Sequence, residues 1–159
     1  MPGDFIIRRP HSSAEWTVVK NLLQDYRREF DDDTCFTSFD EEMNQIEHLY
    51  AQPDKIKLIA LDVLSNTIVG CVALRTYSDK VAEMKRLYVV PGFRGKHLGK
   101  ILAEAILEEA QARGYQSMIL DTMIEMKAAQ ALYGRLGFRV IEPYNHQDSH
   151  KVICFEKTL

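Results

Sequence analysis

The sequence has 159 residues, of which 46% are hydrophobic and 27% charged, and its net charge at pH 7 is −3. This length suits a single domain spanning residues 1–159, which can bury a core without disulfides or metals. The acidic charge balance disfavours broad electrostatic binding to nucleic acid or to an anionic membrane. We therefore expect neither class of partner.

The cysteines predict a reducing compartment. Cys35, Cys71 and Cys154 are few, odd in number and widely spaced. Residues 1–10 contain no apolar stretch or cleavage pattern typical of a secretory signal. The five histidines have no spacing typical of a zinc motif. We expect free thiols, a cytoplasmic protein and no metal site.

The first fifty residues predict one strand and two helices. The segment Phe5–Arg9 is typical of a short strand, and a helix with one apolar face follows it. Ser12 and Glu15 have the spacing of a capping box at the start of that helix. A second helix is predicted to begin near residues 38–41. The acidic run Asp31–Asp33 between the helices is either a solvated loop or an attractor for a cationic amine.

The middle of the chain predicts three consecutive strands, which are rich in β-branched and apolar residues. They are Lys57–Val63, Thr67–Tyr77 and Val81–Val90. The pairs Ser65-Asn66 and Ser78-Asp79 mark the two turns between them, and Pro91-Gly92 ends the third strand.

The second half alternates between helices and strands. A long helix begins at Leu98 and is closed by Gly114, and another one is ended by Gly137. Strands are predicted at Ser117–Asp121, Phe138–Ile141 and Lys151–Lys157. This alternation predicts an α/β fold whose sheet is at least partly parallel.

The segment Leu87–Lys100 is the most informative part of the chain. Its strand leads through a loop containing Gly92, Gly95 and Gly99 directly into a helix. The first amides of a helix lack internal partners, and the helix dipole adds partial positive charge there. Three cationic side chains, Arg94, Lys96 and Lys100, lie in the same stretch. The pattern predicts a site for phosphate or pyrophosphate.

The phosphate-binding motifs can be distinguished by position. A Walker A loop ending at Gly99-Lys100 would need glycine at position 94 and Ser or Thr at position 101, where this chain has Arg and Ile. The dinucleotide pattern G-x-G-x-x-G is also missing. The coenzyme A loop pattern [QR]-x-x-G-x-[GA] is matched by Arg94 and Gly99, with His97 at its first glycine.

Two motifs carry a resemblance to the GCN5-related N-acetyltransferase (GNAT) superfamily. Leu87–Gly95 matches L-x-V-x-P-x-x-R-G, and Ala129–Phe138 matches A-x-x-L-Y-x-x-x-G-F. The family often has Asn where this chain has Met126. The resemblance implies an α/β GNAT fold: a mixed, splayed central sheet of about six to seven strands with helices on both faces.

The resemblance also implies acetyl-CoA as the acetyl donor, entering between the strands Val81–Val90 and Ser117–Asp121. In the family, the pantetheine lies beside the signature strand, and loop amides hold the pyrophosphate. The cofactor-binding residues carried over are Leu87, Tyr88, Val89, Arg94, Gly95, Lys96, His97, Leu98, Gly99, Lys100 and Ala129.

Two residues are candidates for catalysis. Tyr133 matches the family tyrosine that acts as an acid toward sulfur, although by itself it would be interpreted as a core tyrosine. Glu83 is our candidate base, and strand alternation places it on the same face as Leu87 and Val89. A β-bulge in this strand would break that parity. Without the resemblance, Glu83 would be interpreted as an ion-pair partner of Lys85, Arg86 or a neighbouring strand.

The sequence therefore predicts an N-acetyltransferase that transfers acetyl from acetyl-CoA to a primary amine of a small molecule or peptide. An acyl-CoA-binding regulatory module without catalysis is the alternative, motivated by His97 and Met126. A plain interaction protein that keeps only the fold is a third reading. Similar proteins are frequently dimers, so a homodimer is left open.

Overall fold

The computed structural model describes residues 4–31, 34–36, 38–144 and 149–159. The strands are β1 (Phe5–Arg8), β2 (Lys55–Asp62), β3 (Thr67–Ser78), β4 (Val81–Val89), β5 (Ser117–Met123), β6 (Arg139–Ile141) and β7 (Val152–Thr158). The helices are α1 (Ser13–Arg28), α2 (Phe39–Asn44), α3 (Ile46–Leu49), α4 (Leu98–Ala112) and α5 (Lys127–Arg135). None of these helices is long and apolar enough to cross a membrane. Asp32 and Asp33 of the predicted acidic loop lie outside the described residues.

The start of α1 agrees with the sequence prediction in part. The Ser12 hydroxyl accepts a hydrogen bond from the Glu15 amide at 3.2 Å, as in a capping box. The Glu15 carboxylate instead accepts from the His11 amide at 2.6 Å and forms an ion pair with Arg8 at 2.7 Å. The predicted second helix is interrupted at Gln45, which separates α2 from α3.

The sheet is mixed, and its strand order is β1-β2-β3-β4-β5-β7-β6. Its neighbouring strands are antiparallel except for β4 and β5, which are parallel. That parallel pairing covers only Val81–Glu83 against Ser117–Ile119. Beyond Glu83 the two strands diverge and leave the β5-facing edge of β4 unpaired. The predicted mixed, splayed sheet of the GNAT fold is confirmed.

Helices cover both faces of this sheet. Leu102 and Ile106 of α4 are fully buried on one face, with residues of α5 in the same cluster. Val19 and Leu23 of α1 are fully buried on the other face, together with residues of α2. Full burial of each such side chain contributes about 1.5–3 kcal/mol. The sheet is therefore held between two apolar layers.

A β-bulge in β4 changes which way its side chains point. The register passes from Ala73 opposite Lys85 to Cys71 opposite Tyr88, so one extra residue is accommodated between the two pairs. Arg86 lies in this bulge with a φ of 57°. The bulge reverses the alternation that the sequence predicted.

The prediction that Glu83 shares a face with Leu87 and Val89 is therefore wrong. Leu87 and Val89 pack against the α4-side core. Glu83 lies on the opposite face of the sheet, where it contacts Arg75. The bulge inserts one residue into β4. Each side chain after the bulge therefore points to the face opposite the one that simple alternation from Glu83 would give.

Candidate active site

Two cavities flank β4, one on each side of the bulge. The first, here called the loop cleft, has a volume of about 850 Å³ and lies between β4, the start of α4 and α5. The second, here called the α2 cavity, has a volume of about 450 Å³ and lies between α2 and the strands β2 to β4. Lys85 and Arg86 line the α2 cavity, whereas the next three residues, Leu87–Val89, line the loop cleft.

The loop cleft presents free main-chain donors. Within the described residues, no group accepts a hydrogen bond from the amides of Gly95–Lys100, and the next amide, that of Ile101, bonds the His97 carbonyl at 3.1 Å. Gly95 has a φ of 84°, and a Cβ added to it would meet no atom within 4 Å. A run of open amides at a helix N-terminus fits a pyrophosphate.

His97 occupies a position where the coenzyme A loop pattern has glycine, and its backbone adopts a conformation that glycine favours. Its φ of 62° lies in the left-handed region, and it immediately precedes α4. That conformation is strained for most residues but is several-fold enriched for His. The side chain is exposed. The substitution therefore departs from the family motif in sequence, and the backbone at this position is left-handed.

Arg94 ties the loop to the rest of the cleft. Its Nε donates to the Val89 carbonyl at 2.9 Å, and its Nη2 donates to both Glu29 oxygens at 2.9 and 3.1 Å. Glu29 also accepts from the Tyr88 hydroxyl at 2.9 Å. The guanidinium is thereby held at the mouth of the cleft beside the open amides.

The charges along the loop cleft are mostly positive. Its lining includes two acidic side chains, Glu29 and Glu125. Its cationic side chains are Arg94, Lys100, Lys127 and Arg135. The last two were missed by the sequence analysis, which followed only the apolar positions of α5. Their i,i+8 spacing, which keeps two residues on one side of a helix, was the signal that could have found them.

Most of the predicted cofactor-binding residues line the loop cleft. Those that do are Leu87, Tyr88, Val89, Arg94, Gly95, His97, Gly99, Lys100 and Ala129. Leu98 and Lys96 are outside the lining. The side chain of Leu98 is buried in the core, and the Lys96 ammonium lies 5.1 Å from the centroid of the Phe93 ring. Only the amides of these two residues belong to the run of open donors.

Tyr133 lies on the buried side of α5. It is 6% exposed, and its ring packs at 5.8 Å between centroids against both Phe138 and Phe155. Burial raises its pKa above the ordinary value, so the phenol keeps its proton at neutral pH. Within the described residues, its hydroxyl forms no hydrogen bond.

Glu83 lies at the apex of the splay between β4 and β5, because it is the last paired residue. The carboxylate is fully buried, and its Oε1 accepts from Arg75 Nε at 2.6 Å. Its Oε2 accepts from the Tyr144 hydroxyl at 2.6 Å, and Lys85 Nζ is 3.9 Å away. The interpretation of Glu83 as an ion-pair partner of a neighbouring strand is confirmed.

Arg86 fixes the wall of the α2 cavity. Its Nε and Nη2 donate to Glu42 Oε1 at 3.1 and 2.9 Å, and its Nη1 donates to the Cys35 carbonyl at 2.9 Å. Burial alone would raise the pKa of Glu42, but the charges of Arg86 and Lys57 lower it, so this carboxylate is ionised. Arg86, which lies in the bulge, thus bonds the α1–α2 connection and α2 to the sheet.

Cys35 borders the α2 cavity, but its thiol is not activated as a nucleophile. Burial raises the pKa of its thiol to about 12, and its sulfur lies 3.5 Å from that of Met123. A thiol that stays protonated at neutral pH is a poor nucleophile. Cys71 and Cys154 are buried, and all three cysteines are free.

Comparison with known proteins shows the family to which the chain is related. The model of the acetyltransferase (GNAT) family matches residues 16–138. An uncharacterized N-acetyltransferase of Schizosaccharomyces pombe is 38% identical over 135 residues, which cover 84% of this chain and 82% of that protein. The N-acetylaspartate synthetase of Homo sapiens is 35% identical over 106 residues, which cover 66% of this chain but only 35% of that longer protein.

Solved structures share the fold over nearly the whole chain. An acetyltransferase from Streptococcus agalactiae has a TM-score of 0.78 at 24% identity, covering 98% of this chain and 99% of that one. The PaiA N-acetyltransferase from Thermoplasma acidophilum, in complex with coenzyme A, has a TM-score of 0.75 at 19% identity, with coverages of 98% and 99%. Since the family model spans most of the sequence, this chain belongs to the acetyltransferase (GNAT) family and is an acetyl-CoA-dependent N-acetyltransferase.

Proposed function

We propose that this enzyme transfers the acetyl group of acetyl-CoA directly to a primary amine of a small molecule or peptide. One observation carries this proposal: the two cavities border consecutive residues of a single strand. Leu87–Val89 line the loop cleft, and Lys85 and Arg86 line the α2 cavity. Because β4 and β5 are unpaired beyond Glu83, a donor in one cavity and an amine in the other can meet through the gap between these strands.

The donor side of the proposal uses the loop cleft. The open amides of Gly95–Lys100 would bind the pyrophosphate, with Arg94 and Lys100 adding charge. The unpaired edge of β4 at Leu87–Val89 offers main-chain groups to the amides of the pantetheine. We assign Lys127 and Arg135 to the phosphate on the ribose of coenzyme A, since both are cationic and line the same cleft.

The chemistry requires two proton movements. A typical alkyl amine has a pKa of about 10, so it must lose a proton before it attacks the thioester carbonyl. A nitrogen–carbon bond then forms, the carbon–sulfur bond breaks, and the sulfur receives a proton. Each positioned acid or base contributes about 10²–10⁴ to the rate. These two roles need groups near the splay.

We propose Tyr133 as the acid and Glu83 as the base. The raised pKa of Tyr133 keeps a proton available for sulfur at neutral pH. Glu83 lies at the apex of the splay and is fully buried, with both oxygens already accepting hydrogen bonds. It would therefore act through an intervening water rather than by direct contact with the amine.

The proposal is tested by incubating the protein with acetyl-CoA and a panel of amines that includes amino acids, polyamines and peptides. Release of free thiol and the mass of the acetylated product are both measured. Amine-dependent thiol release with formation of an amide is the expected result. Acetyl-CoA binding without thiol release across the whole panel would contradict the proposal and favour the regulatory module.

A further inference from the structure

The α2 cavity is rich in cations, although the whole chain is acidic. Its lining contains two acidic side chains, Glu41 and Glu42. Its cationic side chains are Lys55, Arg75, Lys85 and Arg86. An excess of positive charge in a concave site attracts an anionic group, and the surrounding low-dielectric walls strengthen that attraction.

All four of these cations form ion pairs, and two of them pair with acidic residues other than Glu83. Arg86 is bonded to Glu42 and to the Cys35 carbonyl. Lys55 forms an ion pair with Asp54 at 3.2 Å. The other two cations, Arg75 and Lys85, share Glu83 as their partner.

Arg75 and Lys85 retain unused donors. Arg75 is bonded to Glu83 through Nε alone, and its two terminal nitrogens donate to no group among the described residues. Lys85 Nζ is 3.9 Å from Glu83 Oε2, which is longer than a hydrogen bond. The two cations therefore approach the same buried carboxylate, one at each oxygen, and leave their other donors to the cavity.

These donors match a carboxylate. A guanidinium with free terminal nitrogens binds a carboxylate in a planar, two-bond geometry, and an ammonium adds a charged donor beside it. Glu83 lies between Arg75 and Lys85, so a negative charge that can attract an amine is close to the donors that can bind a carboxylate. An α-amino acid presents the complementary pattern, a carboxylate and an amine on the same carbon atom.

We propose that the acceptor is an α-amino acid whose carboxylate is bound by Arg75 and Lys85 while its amine points toward the splay. This inference rests on the proposed acetyl transfer and names the substrate class of the same site. The carboxylate subsite lies before the bulge, on the face opposite the loop cleft. A polyamine lacks the carboxylate and would place a further positive charge beside these cations.

Kinetics on matched acceptors test the inference. The best L-amino acid of the panel is compared with its carboxamide and with its decarboxylated amine. A hydrogen bond to a charged group is worth about 1.5–3 kcal/mol, so kcat/KM should fall about 100-fold when the carboxylate is removed. Lys85→Met should raise KM for the amino acid at least 10-fold, and it should lower the preference for the amino acid over its carboxamide, measured as the ratio of their kcat/KM values, by about the same factor.

Controls separate binding from folding. Lys80→Met makes the same substitution in the exposed β3–β4 turn and should leave both rates unchanged. Lys85→Arg keeps the charge and should keep most of the preference for the carboxylate. The melting temperature of each variant shows whether it is folded, and if Lys85→Met is not, Arg75→Gln replaces it in the comparison.

Calorimetric titration of the same amino acid into the protein without donor supplies a readout that does not depend on turnover. Binding that weakens at least 10-fold in Lys85→Met supports the carboxylate subsite even if no amine is acetylated, in which case only the proposed function fails. Equal or better turnover of the decarboxylated amine would overturn the inference while leaving acetyl transfer intact. A carboxylate preference that survives in both Lys85→Met and Arg75→Gln would overturn the assignment to these residues.

Discussion

The loop cleft and the α2 cavity lie on either side of one strand but are built by different means. The cleft takes most of its proposed binding groups from one continuous segment, residues 87–100, whose open amides are supplemented by charged side chains. The cavity takes its groups from charged side chains on β2, β3, β4 and α2. A main-chain site depends on local conformation, whereas a side-chain site depends on long-range register. This difference determines how well each site can be predicted from the sequence and how each site responds to mutation.

The two sites should also tolerate substitution differently. His97 replaces a family glycine in the cleft, and the loop keeps the required left-handed conformation. In the cavity, Arg86 and Glu42 neutralise each other in a buried setting. Removing one member of such a pair leaves an uncompensated buried charge. The following predictions probe this contrast, beginning with the largest effect.

The largest effect is expected at the proposed acid, Tyr133. Tyr133→Phe removes the proposed acid and should lower turnover by about 10²–10⁴. The dissociation constant for acetyl-CoA should change less than about threefold, because the lost hydroxyl acts on sulfur during the reaction. Steady-state kinetics and calorimetric binding measure the two effects. Turnover equal to that of the wild type would eliminate the acid role and leave Tyr133 as a core residue.

The second effect concerns stability. Arg86→Met should lower the free energy of unfolding by about 3–5 kcal/mol, because Glu42 loses its buried partner. Arg139→Met serves as the matched control, since Arg139 forms an exposed ion pair with Glu156 and should cost no more than about 1 kcal/mol. Urea unfolding measures both. Similar losses in the two variants would mean that the Arg86 network does not hold the cavity wall.

A neighbouring buried cation should behave in the opposite way. Lys57 Nζ is buried without a hydrogen-bond partner among the described residues, and it lies 4.5 Å from the centroid of the Tyr50 ring. Lys57→Met should therefore raise the free energy of unfolding by about 1–2 kcal/mol at pH 7. A loss of stability would show that the ammonium is better compensated than its contacts indicate.

The gain should depend on pH in a defined direction. Burial lowers the pKa of Lys57 in the folded protein below its ordinary value of 10.5. At a pH between the folded pKa and the unfolded pKa, the unfolded chain therefore binds the proton more strongly. Wild-type stability attributable to this residue therefore rises with pH across that window. The difference between Lys57→Met and the wild type should shrink as the pH approaches 10.5. Urea unfolding at several alkaline pH values measures it.

The smallest effect is expected in the main-chain site. His97→Gly relieves the left-handed strain and also makes the unfolded chain more flexible, so the net change in stability should stay within about 1 kcal/mol. Affinity for acetyl-CoA should not fall, because the amides supply the contacts. A tenfold weaker affinity would show that the imidazole itself contacts the donor.

The sequence was most informative where a site is local. The loop was predicted correctly from Pro91, from the glycines at 95 and 99 and from the helix starting at Leu98. Proline fixes its own φ and glycine permits a left-handed one, so both signals are local. The splay between β4 and β5 followed from the resemblance. The boundaries of most strands differ from the structure by only one or two residues.

The α2 cavity could not be predicted in the same way. The bulge at Arg86 depends on how β4 pairs with β3, and neither strand alone encodes it. Because the bulge was not predicted, Glu83 was placed on the wrong face. An ion pair with a neighbouring strand was foreseen, but neither Arg75 nor Tyr144 was named as its partner. Those residues are 8 and 61 positions away from Glu83 in the chain. Local patterns carry little information about such partners.

The most direct test of the two-site arrangement is thermal unfolding with and without acetyl-CoA. At about 100 times its dissociation constant, acetyl-CoA should stabilise the wild type by about 2.7 kcal/mol, or about 5–10 °C in melting temperature. Lys85→Met should show the same rise, whereas Arg94→Ala combined with Lys100→Ala should lose most of it. No rise in the wild type, or a rise lost in Lys85→Met and kept in the double variant, would contradict a donor site confined to the loop cleft.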